Sequence, residues 1–340
     1  MTGLSFLDKF NKSTSKMDGV SNESNPPDFY FDTGSAIINK IISGKYKDGG
    51  YPQGRLTMIA GPSNAGKSFL VGNAIKSTLE NGWGVLAIDS ENALDSVYLQ
   101  NMGIDTDNPL YSYKGITELG KVKKVISEFF KAYKAAPKEE QIPFLITIDS
   151  LDELRSSVQT DKDEKGEIHK DFGLKVQQTA EIQSMIMHNI GDLPIACIAT
   201  KQPYRNQDTY TNKQDPWVIT EKLKFAYTQV IFVTNSMLRD ATTKNYEGIK
   251  LKVFGKKTRL TKPFQQCVVE VPYETGMDWY TGILEAAESI GIVKKSGSWY
   301  KFDGNNFQRK NFEEYREQVF EALLEREGEA IKYNDEEEED

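Results

Sequence analysis

The octapeptide Gly61-Pro62-Ser63-Asn64-Ala65-Gly66-Lys67-Ser68 has the spacing G-x-x-x-x-G-K-[ST], with Phe69 directly after it. It follows the apolar run Arg55–Ala60, an expected strand, and opens Lys67–Glu80, an expected helix. Phosphate binding explains that pattern. Glycines let successive backbone N–H groups wrap an anion, and the N-terminal end of the helix adds a favourable field. Lys67 would neutralise β- and γ-phosphate charge, and the Ser68 hydroxyl would ligate Mg²⁺. A chance match in a turn is the competing reading, and the strand–loop–helix context speaks against it. Nucleotide binding is the expectation.

Such chemistry needs two acids beside the phosphates. Asp149 ends the apolar run Leu145-Ile146-Thr147-Ile148 and suits the carboxylate that holds the metal's water shell. A plain capping aspartate at a strand end is the alternative. Glu91, in Ala87-Ile88-Asp89-Ser90-Glu91, follows the next strand and suits a group that orients or deprotonates water. Alone, it would read as solvated surface.

Apolar strands alternating with helices are expected to position these residues. The strands are Arg55–Ala60, Gly84–Asp89, Pro143–Asp149, Pro194–Thr200 and Gln229–Thr234, and the helices Lys67–Glu80, Thr117–Ala135 and Phe172–Asn189. Near-continuous apolar strands between helices predict an α/β fold with a mostly parallel sheet covered on both faces. From about Gly248 the pattern changes. Lys250–Phe254 and Gln266–Val271 read as adjacent antiparallel strands, and Trp279–Ile290 and Phe312–Arg326 as helices around Ser298-Trp299-Tyr300. At the other end, Leu4, Leu7 and Phe10 give residues 1–12 an amphipathic helical face, and the polar stretch Ser13–Pro27 reads as a linker.

Composition bounds the function. With 38% hydrophobic and 27% charged residues the chain reads as a globular protein. No apolar run is long enough to span a bilayer, and the N-terminus lacks a secretory pattern. Two cysteines and two histidines predict neither a disulfide framework nor a zinc site, and a cytoplasmic location is expected. Of the net charge of −8, six charges fall in Asp335–Asp340. The near-neutral remainder leaves nucleic acid open as a partner.

Taken together, the chain resembles the RecA family of recombinases. Thr33-Gly34-Ser35, Gly50-Tyr51-Pro52-Gln53-Gly54-Arg55, the phosphate loop and Asp89-Ser90-Glu91-Asn92-Ala93-Leu94-Asp95 follow one another as in that family, within a likeness from about Phe29 to Phe302. Lys12-Ser13-Thr14-Ser15-Lys16, the Gly72–Tyr98 run and the acidic C-terminus look closest to its phage UvsX-like branch. The resemblance implies a RecA-like core over 28–275, a subunit-docking arm over 1–27, a small C-terminal α/β lobe over 276–334 and an acidic tail over 335–340. Glu91 then matches the catalytic glutamate. Asp95 and Tyr98 match adenine contacts, Tyr98 by stacking, although a core aromatic would look the same. Gln202 matches the γ-phosphate sensor. Lys257 and Arg259 match a cationic pair that reaches the neighbouring subunit's ATP, with a basic surface strand or direct DNA contact as alternatives. Tyr273 matches a second aromatic near the nucleotide.

Two segments are implied to touch DNA, about Ser156–Lys170 and Pro203–Thr220. The second holds Tyr204, Arg205, Tyr210, Lys213 and Trp217, cations interleaved with aromatics as single-strand binding favours. It departs from the family's glycine-rich end at Thr220-Glu221-Lys222. The first is acidic at Asp161, Asp163, Glu164 and Glu167, and its candidate contacts are cations such as Lys170.

The function implied is an ATP- and Mg²⁺-dependent recombinase. It would polymerise on single-stranded DNA as a homo-filament and exchange strands with duplex DNA. A single-strand-binding protein and a recombination mediator would be its partners. A RecA-fold ATPase of signalling or loader type is the alternative. The tail reads either as a brake on DNA capture or as a solubilising polyanion.

Overall fold

The apolar runs pair as their composition requires. The computed structural model describes residues 3–15, 17, 26–163, 172–205, 217–218, 225–239, 243 and 245–331. In chain order the elements are α1 (Gly3–Thr14), β1 (Tyr30–Phe31), α2 (Ala36–Ser43), β2 (Tyr51–Pro52), β3 (Leu56–Ala60), α3 (Lys67–Glu80), β4 (Gly84–Asp89), α4 (Ser96–Asn101), β5 (Tyr111–Gly115) and α5 (Leu119–Ala135). There follow β6 (Phe144–Asp149), α6 (Ser157–Asp163), α7 (Phe172–Ile190), β7 (Ile195–Lys201), β8 (Tyr204–Arg205), β9 (Trp217–Val218), β10 (Gln229–Arg239), β11 (Tyr246–Lys257) and β12 (Gln266–Pro272).

Eight strands form one sheet in the order β12-β11-β10-β3-β7-β6-β4-β5. From β10 to β5 the neighbours run parallel, whereas β10-β11 and β11-β12 are antiparallel. This is the mostly parallel α/β core expected from the sequence. The edge strand β5 escaped the sequence reading because Tyr-Ser-Tyr-Lys-Gly carries no apolar run and is largely exposed.

Both faces are covered. On one, Leu119, Val122, Ile126, Phe130 and Tyr133 of α5 recur at helical spacing and pack with Ile182, Ile186 and Ile190 of α7 against the sheet. On the other, Leu70, Val71, Ala74 and Ile75 of α3 join α2 in a cluster that continues into the C-terminal segment through Tyr300, Phe307, Val319, Phe320 and Leu323. Each such side chain taken out of water contributes roughly 1.5–3 kcal/mol.

The C-terminal segment is less helical than its periodicity predicts. A helix covers Ile283–Ser289, and Lys294–Ser296, Trp299–Phe302 and Asn305–Gln308 form an antiparallel sheet that takes up Trp299 and Tyr300. A 3₁₀ turn over Arg309–Glu314 then precedes the helix Arg316–Glu325. Gly297 (φ 58°) and Gly304 (φ 79°) lie between successive strands of this sheet and turn the chain there.

The expected N-terminal helix runs two residues past its sequence boundary and leaves Phe6, Leu7 and Phe10 exposed. Part of the first expected DNA segment is helical, as α6. Lys170, Tyr210, Lys213 and the tail 335–340 lie outside the described residues.

Candidate nucleotide site

The site lies where ligands collect in open α/β sheets, beyond the carboxyl ends of the parallel strands. Because β3, β7, β6 and β4 are neighbours in that order, their ends present Gly61, Gln202, Asp149 and the Asp89–Glu91 turn in a row. Ala60 pairs with Lys201, and Asp89 with Asp149.

The phosphate loop needs its glycines for space as much as for freedom. A Cβ on Gly61 would stand 2.3 Å from the Val233 carbonyl oxygen of β10. Gly66 has φ 94°, and a Cβ there would meet Leu251 Cδ2 at 2.6 Å. Asn64 holds the left-handed region at φ 59°, which asparagine tolerates better than most residues. Asn235 Nδ2 donates to the Asn64 carbonyl at 2.6 Å, so β10 braces the loop from outside. Lys67 folds its ammonium back on the loop, donating to the carbonyls of Gly61 at 3.0 Å and Pro62 at 2.7 Å. Burial lowers the Lys67 pKa, against the attraction of Asp149, Glu91 and Asp152.

Asp149 is 2% exposed. Burial raises its pKa, opposed by hydrogen bonding from Thr200 and Ser68. Thr200 Oγ1 donates to Oδ1, while Oδ2 is buried without a partner in a normal hydrogen bond. A buried carboxylate oxygen left unsatisfied costs about 1–3 kcal/mol or more, so such an atom calls for a ligand. A divalent cation held by Asp149 and the neighbouring Ser68 hydroxyl would fit that need. Asp149 and Ser68 are thus the donors suited to Mg²⁺, which binds through one or two protein oxygens plus phosphates and water.

Glu91 is positioned by its own turn and by Ser150 of the neighbouring strand end. Asp89, 1% exposed, accepts the backbone N–H groups of Glu91 at 3.0 Å and Ala93 at 3.2 Å on Oδ1, and that of Leu94 at 2.9 Å on Oδ2. That carboxylate wraps the turn, with Asn92 at φ 55°, and aims Glu91 across the strand ends. Ser150 Oγ donates to Glu91 Oε1, and the Ser150 N–H donates to Ser90 Oγ at 3.0 Å. The signal for Asp89 was present in Asp-Ser-Glu-Asn, a short acid ahead of a tight turn. Nothing local marks Ser150 or Thr200.

Lys67, Ser68, Asp149 and Glu91 therefore converge, with Gln202 beside them at the end of β7. Asp95 caps α4, its Oδ1 accepting the Tyr98 N–H at 2.9 Å. Tyr98 is half-buried against the cluster that contains α3, and Phe69 packs there too. Burial pushes the Tyr98 hydroxyl up to about 12, with the Asp149 charge adding to it.

Lys257 and Arg259 stand elsewhere. Lys257 pairs with Val230 near the start of β10, whereas Leu251, six residues earlier on β11, contacts the phosphate loop at Gly66. Six strand residues span about 20 Å, so Lys257 lies at the opposite end of β11 from the loop, with Arg259 two residues past the strand. Tyr273 is 68% exposed beyond β12, its N–H donating to the Glu247 carbonyl at 2.8 Å. In the second expected DNA segment, Tyr204 pairs with Val218 and Arg205 with Trp217. That short ladder brings the backbones of its two ends together.

A parallel sheet with this loop, lysine, hydroxyl and acidic strand end defines a P-loop α/β protein. Residues 12–126 match the family model described as the RecA N-terminal domain. The chain is similar to Protein RecA of Synechococcus sp. (strain CC9311), 25% identical over 265 residues, covering 76% of this chain and 64% of the relative. It is similarly related to Protein RecA of Prochlorococcus marinus (strain MIT 9303), 25% identical over 81% of this chain and 68% of the relative. Protein RecA of Trichodesmium erythraeum is 24% identical over 76% and 68%. The matches span only about two thirds of each relative's length. Among the described residues no helix is long and apolar enough to cross a membrane.

Proposed function

We propose that this chain is a DNA-dependent ATPase of the RecA type, closest to the phage UvsX-like branch. It would form a helical filament on single-stranded DNA and pair that strand with homologous duplex DNA. The observation that carries the reading is the convergence of Lys67, Ser68, Asp149 and Glu91 at the strand ends, with the partnerless Asp149 Oδ2 among them. Loop N–H groups and Lys67 would bind ATP phosphates, for which Lys67 would exchange its two carbonyl acceptors. Mg²⁺, when bound, would neutralise charge on the β- and γ-phosphates. Glu91, held by Ser150, would orient the attacking water and take its proton. Gln202 would sense the γ-phosphate through its amide, and Tyr98 would stack on adenine beside Asp95, with Tyr273 near the nucleotide.

The distance of Lys257 and Arg259 from their own site supports a role in the next subunit. There two cations would offset γ-phosphate charge as an arginine finger does, making hydrolysis depend on assembly. The segments around Lys170 and around Tyr204, Arg205, Lys213 and Trp217 would meet DNA, and α1, with its exposed Phe6 and Phe10, would dock on a neighbour. A single-strand-binding protein and a mediator would assist loading in the host cytoplasm. One experiment separates this from a signalling or loader ATPase. Single-stranded DNA should stimulate ATP hydrolysis and yield helical filaments in negative-stain images. Hydrolysis indifferent to DNA, with closed rings or no assembly, would remove the recombinase reading.

A further inference from the structure

Asp152 stands just past the metal-site strand, and three groups converge on it. Its Oδ1 accepts Lys201 Nζ at 2.6 Å, in an ion pair whose side chains are 6% and 20% exposed. Its Oδ2 accepts the backbone N–H of Gln202. Its carbonyl accepts Lys175 Nζ from α7. Lys201 ends β7, Gln202 follows it, and β8 begins at Tyr204, so the carboxylate grips the chain where it leaves the sheet. Lys175 lies in the first turn of α7, directly after residues 164–171. One residue thus ties the end of β6 to the starts of two further segments.

Neutralising the buried Lys201 would need only one oxygen of Asp152. The other oxygen is spent on the backbone of the next residue, whose side chain is exposed at the site. A charged acceptor makes such a bond strong and directional, and the pair fixes where the backbone of Gln202 lies relative to Asp149. The two strands are also stitched directly, by the Leu151 N–H to the Thr200 carbonyl at 3.1 Å and by Thr200 Oγ1 to Asp149.

We propose that Asp152 is a positioning residue that acts through Gln202. It holds the Gln202 backbone against the metal-site strand, and so sets the reach of the Gln202 amide towards the γ-phosphate. This rests on the reading of Gln202 as a phosphate sensor.

The test is a double-mutant cycle on the full chain. Asp152→Ala alone would take an acidic partner from a buried ammonium, which is destabilising. The cycle is therefore built on Lys201→Met, combining Asp152→Ala with Gln202→Ala, and each variant is checked for a cooperative melt. The expected result is a fall in kcat of tenfold or more for Asp152→Ala, with affinity for a fluorescent ATP analogue within about threefold. In the Gln202→Ala background the same substitution should change kcat less than twofold. A merely structural role would give the same fractional loss in both backgrounds, and that result overturns the proposal. So does an unchanged kcat. If the Lys201→Met background does not fold, Asp152→Asn in the natural background supplies the same cycle. Turnover is read with and without single-stranded DNA. A natural chain that hydrolyses ATP without responding to DNA overturns the recombinase reading alone, because the cycle still reads on basal turnover. Absence of any hydrolysis overturns both.

Discussion

Ser150 Oγ donates a hydrogen bond to Oε1 of Glu91, joining the residue after Asp149 to the acid that follows β4. The two are 59 positions apart in sequence, and parallel pairing of β4 with β6 brings them together. Loss of this donor should leave Glu91 in place, because Asp89 holds its turn, but should free the carboxylate to rotate. Ser150→Ala is expected to lower kcat roughly tenfold, less than the roughly 10²–10⁴-fold that a general base itself contributes, with KM for ATP within about twofold. Steady-state kinetics decides it, and a change confined to KM would assign Ser150 to binding instead.

The proposed roles of Lys67 in binding and Glu91 in chemistry can be separated. Lys67→Ala should abolish both turnover and DNA-dependent assembly. Glu91→Gln should retain ATP binding and accumulate stable filaments, visible by electron microscopy, while kcat falls by about a hundredfold or more. Equal loss of ATP binding in the two variants would end the assignment of Glu91.

The partnerless Oδ2 of Asp149 makes a prediction about metal. Asp149→Asn replaces a buried carboxylate with a neutral amide of equal size, and Oδ1 keeps its bond from Thr200. Without nucleotide and in the presence of a chelator, this variant should melt at or above the temperature of the natural protein. Adding ATP with Mg²⁺ should raise Tm for the natural protein by several degrees and for the variant hardly at all. Equal Mg²⁺-dependent stabilisation of both would place the cation elsewhere.

Lys257 sits about 20 Å along β11 from Leu251 beside the loop, and Arg259 follows two residues past the end of that strand. Lys257→Ala or Arg259→Ala should therefore leave ATP affinity of the monomer within about threefold while removing DNA-stimulated hydrolysis. Mixing either variant with Glu91→Gln protein should restore part of the activity, because some interfaces would then combine a natural Glu91 with natural cations. Mixtures that stay inactive at every ratio would count against an acting pair from the neighbouring subunit.

Residues 61–68 were legible from the sequence alone as a loop of phosphate-binding spacing between a strand and a helix. The apolar runs at 56–60, 84–89, 144–149 and 195–201 likewise declared a parallel sheet, since strands buried on both faces lose their alternation. Asp149 and Glu91 were legible as acids past strand ends. What no local pattern contained was strand order. Only the placement of β7 between β3 and β6 sets Thr200 against Asp149 and Lys201 against Asp152, and only β4 beside β6 sets Ser150 against Glu91. Strand β5, polar and exposed, and the sheet Lys294–Gln308, built from short strands around glycine turns, were invisible to periodicity for the same reason. Hydrophobic spacing reports what a segment buries, whereas the partners of a serine, a threonine or an aspartate are set by chain crossings tens of residues away, which tertiary structure alone decides.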